Sequence, residues 1–305
     1  MKEILRVFAK MNLTSIAIIK ELLLRHNARP LKKMGQNFLI DKRTLDKIIT
    51  AARLSPQDVV LEIGPGAGTL TKELAKTAKR VFAVEKDQKM VQIIKETIKG
   101  FKNVEVLNED ILKLPISKKL PISKKLPISK TSPQNQFEEF RLPNYKVVAN
   151  IPYYLTSPVI RKFLESKNPP QEMILMVQKE VAQRIWAKPP EMSLLAVSVQ
   201  FYADPEIISY VKKECFWPKP KVDSAIIKIK PRTREDGKQI DRDLFFRIAK
   251  AGFSQRRKQL VNNLSKSLGK DKNQTSQWLL KNRVNPKQRA QNLTIEDWVK
   301  LTNSF

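Results

Sequence analysis

The chain of 305 residues has one cysteine, Cys215, and one histidine, His26. A single thiol cannot form an internal disulfide, which suits a reducing compartment. One imidazole, remote from every motif below, speaks against a zinc cluster and a Ser-His-Asp triad, so no metal is expected. No run of 18 apolar residues occurs, and no membrane partner is expected. The initial MKEILRVFAK mixes both charge signs with apolar positions and lacks the core and cleavage site of a signal peptide. A cytoplasmic protein is therefore expected, with Met11 as an alternative start. Glycine is sparse, at 8 residues, while hydrophobic residues reach 41%, a composition that suits a globular chain with ample core. This length predicts one large domain and one smaller one.

Acid is also scarce. Asp and Glu number 30 against 58 Lys and Arg, for a net charge of +28, which points to a polyanionic partner. Nucleic acid fits better than a membrane surface, because no long basic amphipathic helix concentrates the charge.

Helical spacing of Ile16, Ile19, Leu22 and Leu23 predicts a helix over 14–25, and Leu45, Ile48, Ile49 and Ala52 share one face of another. Strand-like runs then alternate with helical ones: DVVLEIG, TLTKELAKTA, RVFAVEKD, QKMVQIIKETI, VEVLNED and YKVVAN, followed by EMILMVQ, KEVAQRIWA and VDSAIIKIKPR. That alternation predicts an α/β domain with a parallel sheet covered on both faces. After Pro231 only helical patterns follow, including DLFFRIAKAGF, RRKQLVNNLSKSL, QTSQWLLKN and IEDWVKLT. The expected organisation is an N-terminal extension with a helix (1–27), an α/β domain (28–232) and a small all-helical domain (233–305). Residues 113–130, KLPISKKLPISKKLPISK, are three copies of a six-residue unit with six lysines and no acid. Proline in each copy blocks a regular helix, which predicts a solvated insertion in a surface loop, with a weak phosphate-contacting arm as the alternative.

LEIGPGAGTL places Gly64, Gly66 and Gly68 between a strand and a helix, where glycines permit a tight turn and close ligand approach. A plain strand-helix turn is the alternative. Glu85 ends the second strand, where a carboxylate can accept both hydroxyls of a ribose. Asp110 ends the third strand and can accept from an adenine amino group. Either acid can instead be a helix-terminal charge or cap. Asn150 ends a fourth strand and opens NIPYYLTSP. Its amide oxygen and the Ile151 carbonyl can accept both hydrogens of an exocyclic amine, Pro152 stiffens the turn, and Tyr153 or Tyr154 can stack on a flat base. In an open α/β sheet, ligands bind outside the carboxyl ends of the strands, where all four motifs fall.

Asn150, Ile151, Pro152 and Tyr153 together resemble the Asn/Asp-Pro-Pro-Tyr/Phe motif of adenine-N6 methyltransferases, in its Asn-x-Pro-Tyr form. The chain as a whole resembles the KsgA/RsmA family of small-subunit (16S) rRNA adenine dimethyltransferases. KKMGQNFLID, EIGPGAGTLT, VEKD, VVANIPYYLTSP, VQKEVAQRI, FWPKPKVDSAIIKI and FSQRRKQLVNNL carry the likeness, in order, across residues 28–301. The resemblance implies a Rossmann-like class I methyltransferase fold with a helical C-terminal domain. It implies S-adenosyl-L-methionine contacts at Gln36, Asn37, Leu39, Gly64, Gly66, Glu85, Asp110 and Asn150. It also implies that Asn150, Ile151, Pro152 and Tyr153 form the catalytic motif, with Tyr153 as the stacking ring and Tyr154 a support. Arg256, Arg257 and Lys258, in SQRRKQ, suit RNA phosphates, with a solvated helix face as the alternative. The expectation is a monomeric enzyme that dimethylates adenine N6 in a hairpin loop of the small subunit or its precursor. The alternatives are the antibiotic-resistance class acting on large-subunit rRNA and a non-catalytic assembly or transcription factor.

Overall fold

Runs of Val, Ile, Leu and Ala between turn residues build the central sheet, because side chains buried on both faces leave no polar alternation. The computed structural model describes residues 11–31, 34–115, 120–122, 138–140, 144–232 and 240–305. The first ten residues, Lys32 and Lys33 of KKMGQNFLID, and residues 116–119 and 123–130 of the lysine repeat lie outside the described residues, as does 233–239 beside the expected domain boundary.

The strands are β1 (Phe38–Leu39), β2 (Val59–Ile63), β3 (Arg80–Glu85), β4 (Val104–Asn108), β5 (Leu120–Ile122), β6 (Glu138–Phe140), β7 (Tyr145–Asn150), β8 (Glu172–Gln178), β9 (Ala203–Val211), β10 (Phe216–Trp217) and β11 (Ser224–Pro231). Seven of them form one sheet in the order β4-β3-β2-β7-β8-β11-β9. β2 runs parallel to β3 and β7, β3 to β4 and β7 to β8, whereas β11 is antiparallel to β8. β1 and β10 pair separately, Phe38 opposite Trp217 and Leu39 opposite Phe216. Residues 120–122 of the lysine repeat pair antiparallel with 138–140, Pro121 opposite Glu139.

Helices α1 (Ile16–Arg25), α2 (Lys42–Ala52), α3 (Thr69–Ala75), α4 (Gln88–Thr97) and α5 (Thr156–Leu164) accompany these strands. Asp41 caps α2 by accepting from Thr44 N, and Asp87 caps α4 by accepting from Lys89 N. Helix α1 is not an appended extension, as expected of residues 1–27. Its Ile19, Leu22 and Leu23 share one buried cluster with Phe38, Ala67, Met90 and Ile93. Thr69 Oγ1 donates to the Leu13 carbonyl and Lys72 Nζ to that of Met11, fastening the start of the described chain to α3.

The chain divides into two units, the first running through Lys179 and taking in Ile208–Pro231, the second made of Glu180–Ile207 and Arg232–Phe305. Residues 180–207 therefore join the helical unit, instead of the α/β domain that 28–232 was expected to form. Its elements are α6 (Lys179–Trp186), α7 (Leu194–Gln200), α8 (Arg242–Gly252), α9 (Leu260–Leu268), α10 (Lys272–Lys281) and α11 (Ile295–Asn303), with α6 beginning at the boundary. Ala196, Val197 and Phe201 are buried in one core with Phe245, Ile248, Leu264 and Trp298. Apolar spacing marks the buried face of α7 but not its partner, and the partner decides the unit.

Candidate functional site

Four neighbouring strands, β4, β3, β2 and β7, are parallel, so their carboxyl ends lie along one edge of the sheet. One cleft opens there, with about 1190 Å³ of empty space counting its open mouth. Gly64 and Gly66, Glu85, Asp110 and Asn150, one group from each strand end, all line it. The sequence placed them at strand ends, and the parallel register brings them together.

The loop after β2 depends on glycine. Gly66 has φ of 55°, and a Cβ there would lie 3.3 Å from the Phe38 ring. Gly68 has φ of 87°, and its Cβ would lie 2.8 Å from Thr97 Oγ1, too close for any side chain. The loop has little room for side chains, and its glycine N–H groups bond within the protein, that of Gly64 to the Val84 carbonyl and that of Gly68 to the Pro65 carbonyl. That of Gly66 donates to Glu85 Oε2 at 3.2 Å, while Asp87 N donates to Oε1 at 2.9 Å. Burial raises the Glu85 pKa, and these two donors oppose the rise. The carboxyl is held at a fixed angle at the end of β3.

Asp110 stands at the mouth. Its Oδ1 accepts from Leu112 N at 2.9 Å, and its Oδ2 takes the ammonium of Lys86 at 2.9 Å. The Lys86 hydrogen bond holds the Asp110 pKa below the ordinary carboxylate value. Tyr154 lies on the same rim and is 53% exposed.

The fourth strand end carries the most informative geometry. Asn150 Nδ2 donates to the backbone carbonyl of Asn37 at 3.2 Å. An amide has one donor end and one acceptor end, so this bond leaves Oδ1 as the acceptor available to a ligand. Ile151 N donates to the Met176 carbonyl of β8, and Leu155 N to the Pro152 carbonyl, which folds 153–155 into one turn of 3₁₀ helix. The Tyr153 ring is half-buried, and its hydroxyl meets Ser224 Oγ at 2.8 Å. Residues 34–39 close over this turn, with Gly35 packed on Pro152. Leu39 is buried on the same wall.

An acceptor amide, a half-buried ring and two strand-end acids in one cleft suit a planar amine and a nucleoside. Residues 26–305 match the family model of the ribosomal RNA adenine dimethylases. The chain belongs to that family. Ribosomal RNA small subunit methyltransferase A of Dehalococcoides mccartyi is 42% identical over 289 residues, which are 94% of this chain and 92% of that protein. Among solved structures, the 23S rRNA methyltransferase ErmE is similar with a TM-score of 0.66 and 26% identity, over 88% of this chain and 99% of that one. A dimethyladenosine transferase from Plasmodium falciparum gives a TM-score of 0.65 and 27% identity, over 86% and 94%.

Three features of this dimethylase escaped sequence reasoning. Glu62, on β2, lines the cleft at 1% exposure, and its Oε2 has no hydrogen-bond partner. Burial pushes its pKa up to about 8, the nearby Glu85 charge adds to this, and the Thr71 hydroxyl beside it opposes, though the two do not meet in a hydrogen bond of ordinary geometry. Second, Gln36 lines the cleft but its amide is engaged, accepting from Leu31 N and donating to Asp87 Oδ2, so its side chain ties the covering segment to the start of α4. Third, Arg256, Arg257 and Lys258 are exposed in a turn, not on a helix, since α9 begins at Leu260. Asn263 Nδ2 donates to the Gly252 and Gln255 carbonyls and pins that turn. These three basic residues belong to the helical unit, and the cleft is lined by the first unit.

Proposed function

We propose that this chain uses S-adenosyl-L-methionine to dimethylate N6 of adenines in small-subunit rRNA, and that Asn150, Ile151, Pro152 and Tyr153 form its reaction site. The orientation of Asn150 carries the site assignment. With Nδ2 held by Asn37, Oδ1 is the end that accepts a hydrogen from the target amine. That hydrogen bond favours a more tetrahedral, nucleophilic nitrogen while keeping the amide uncharged beside a cationic donor. Tyr153 offers its ring to the adenine face, and Pro152 fixes the turn that presents it.

When bound, S-adenosyl-L-methionine supplies an electrophilic methyl group on a sulfonium. Glu85 accepts from its ribose and Asp110 from its adenine, Gly64 and Gly66 leave room for it, and Asn37, Leu39 and Gln36 form the covering wall. The unpartnered Glu62 Oε2 fits a group that is cationic or donates hydrogen bonds, as a buried polar atom needs a partner. The held donor would supply its methyl group to N6, with the carbon–sulfur electron pair left on sulfur, while Asn150 Oδ1 would keep its hydrogen bond from the amine. N6 then gives its proton to water, and no histidine base is required because an alkylated amine of this kind is strongly acidic.

The 42% identity to a small-subunit enzyme, against 26% to a large-subunit one, supports the small subunit as target. The exposed Arg256, Arg257 and Lys258 support phosphate contact from the helical unit. We assign action to the cytoplasm because the substrate is rRNA of a subunit under assembly, as a monomer because one chain supplies every group of the cleft, and without metal because the chemistry requires no Lewis acid. Immature small subunits and large subunits are incubated separately with labelled donor, and the modified nucleotides are mapped by mass. Dimethyladenosine in the small subunit alone is expected. Label confined to the large subunit overturns the target, and no label in either overturns the activity.

A further inference from the structure

Tyr153 is anchored at both ends. Its backbone follows Pro152 in the 3₁₀ turn after β7, and its hydroxyl reaches Ser224 Oγ at 2.8 Å. Ser224 is the first residue of β11 and 0% exposed. Strand β8 lies between β7 and β11 in the sheet, with Asn150 opposite Met176 and Ser224 opposite Gln178. Because β11 runs antiparallel, its first residue lies at the edge where the parallel strands end. The ring therefore spans the end of β8, and its far corner is tied to a residue with no other evident task at the cleft.

We infer that Ser224 is a positioning residue that sets the tilt of the Tyr153 ring, and that its weight falls chiefly on the second of the two methyl transfers. This rests on the reading of Tyr153 as the platform for the target adenine. In the first transfer the N6 amine has two hydrogens, and hydrogen bonds to acceptors such as Asn150 Oδ1 fix the base in its plane. In the second only one hydrogen remains, and the methyl group already on N6 adds bulk. Rotational alignment then depends more on the stacked surface, so the angle of that surface matters more. The tyrosine hydroxyl lies on the axis of the second side-chain torsion, so a hydrogen bond at the tip holds the first torsion and thereby the direction in which the ring axis leans. Ser224 touches Tyr153 and does not itself line the cleft, so it acts through the ring.

The test uses the full-length enzyme on immature small subunits, with the first and second transfers timed separately by nucleoside mass. Ser224→Ala and Tyr153→Phe each delete one side of the hydroxyl pair, and the double variant deletes both. Ser224→Ala is expected to slow the second transfer about three- to tenfold, the scale of one net hydrogen bond, and the first by less than about twofold, while Tyr153→Phe should lower the ratio of second to first transfer by about the same factor. Monomethyladenosine accumulates as a result. The double variant should match the singles, because the pair is one interaction. Binding of labelled donor stays unchanged, and a variant with 2-aminopurine at the target position reports base stacking without turnover. A structural role alone would slow both transfers equally and leave the product ratio fixed, which overturns the inference. Multiplying effects in the double variant overturn it as well. Should Ser224→Ala not fold, an unchanged ratio in Tyr153→Phe decides against it. Tyr153→Ala separates the two levels: if it turns over normally, the platform reading itself fails, whereas if it is dead while both hydroxyl deletions are silent, only the role of Ser224 fails.

Discussion

Glu62 and Asp110 are carboxyls of one cleft, and their surroundings push them in opposite directions. Glu62 lies on the floor, out of water and unpartnered, and its pKa rises to about 8. Asp110 lies at the mouth beside Lys86, and its pKa falls. Burial penalises the charged form, while a neighbouring cation favours it. Floor and inner wall are therefore the places where a single group is expected to matter most. The mouth is solvated, its ion pair is screened, and exposed pairs contribute little. The order of mutational effects should follow this gradient.

The largest effect is expected on the inner wall. Asn150→Ala should lower kcat by about 10²- to 10³-fold, the range for loss of one preorganised polar group, with RNA affinity nearly intact. Single-turnover rates and equilibrium RNA binding measure the two separately, and a variant that methylates within about threefold of the parent would remove the inner wall from the top of the order.

An intermediate effect belongs to the floor. The folded-state pKa of Glu62 lies above its ordinary 4.5, so the folded chain binds more protons than the unfolded one between about pH 4.5 and 8. Stability relative to an un-ionisable side chain therefore falls as pH rises through that window. Ligand-free Glu62→Gln should melt higher than the parent by a margin that widens from about pH 5 to about pH 8. Melting curves across that range test it, and a margin that stays constant with pH would mean that Glu62 is ionised in the folded protein.

The smallest effect is expected at the rim. Lys86→Met removes the Asp110 partner, yet the Lys86 side chain is 60% exposed. The KM for S-adenosyl-L-methionine should change by about twofold or less, and the difference should fade as salt is raised. A change of about tenfold or more that persists at high salt would invert the comparison between floor and mouth.

Much of this was legible in the chain. The six expected strands over 58–64, 80–87, 104–110, 145–150, 172–178 and 222–232 all form, because apolar β-rich runs of that length admit few alternatives. Strand β9 was not evident: Pro205 interrupts its pattern, and the structure shows why it is tolerated, since β9 is the last strand in the sheet order and an edge strand can lack a donor. The helix expected over 256–268 begins only at Leu260, and Asn263 within it holds the turn before it through the Gly252 and Gln255 carbonyls. Local propensity cannot register a side-chain hydrogen bond that reaches back from the helix and holds the residues before it in a turn.

The sequence by itself determined the kinds of element and the chemistry at four strand ends: a glycine loop, two acids and an amide followed by proline and tyrosine. Those are local signals, carried by neighbours in the chain and by period. Tertiary structure decided the rest. It turned Asn150 by a carbonyl 113 residues away, tied Tyr153 to a serine 71 residues away, left Glu62 without a partner and drew residues 180–207 into the helical unit. Each of those outcomes depends on which surfaces meet after the sheet has closed, and no stretch of sequence contains both partners.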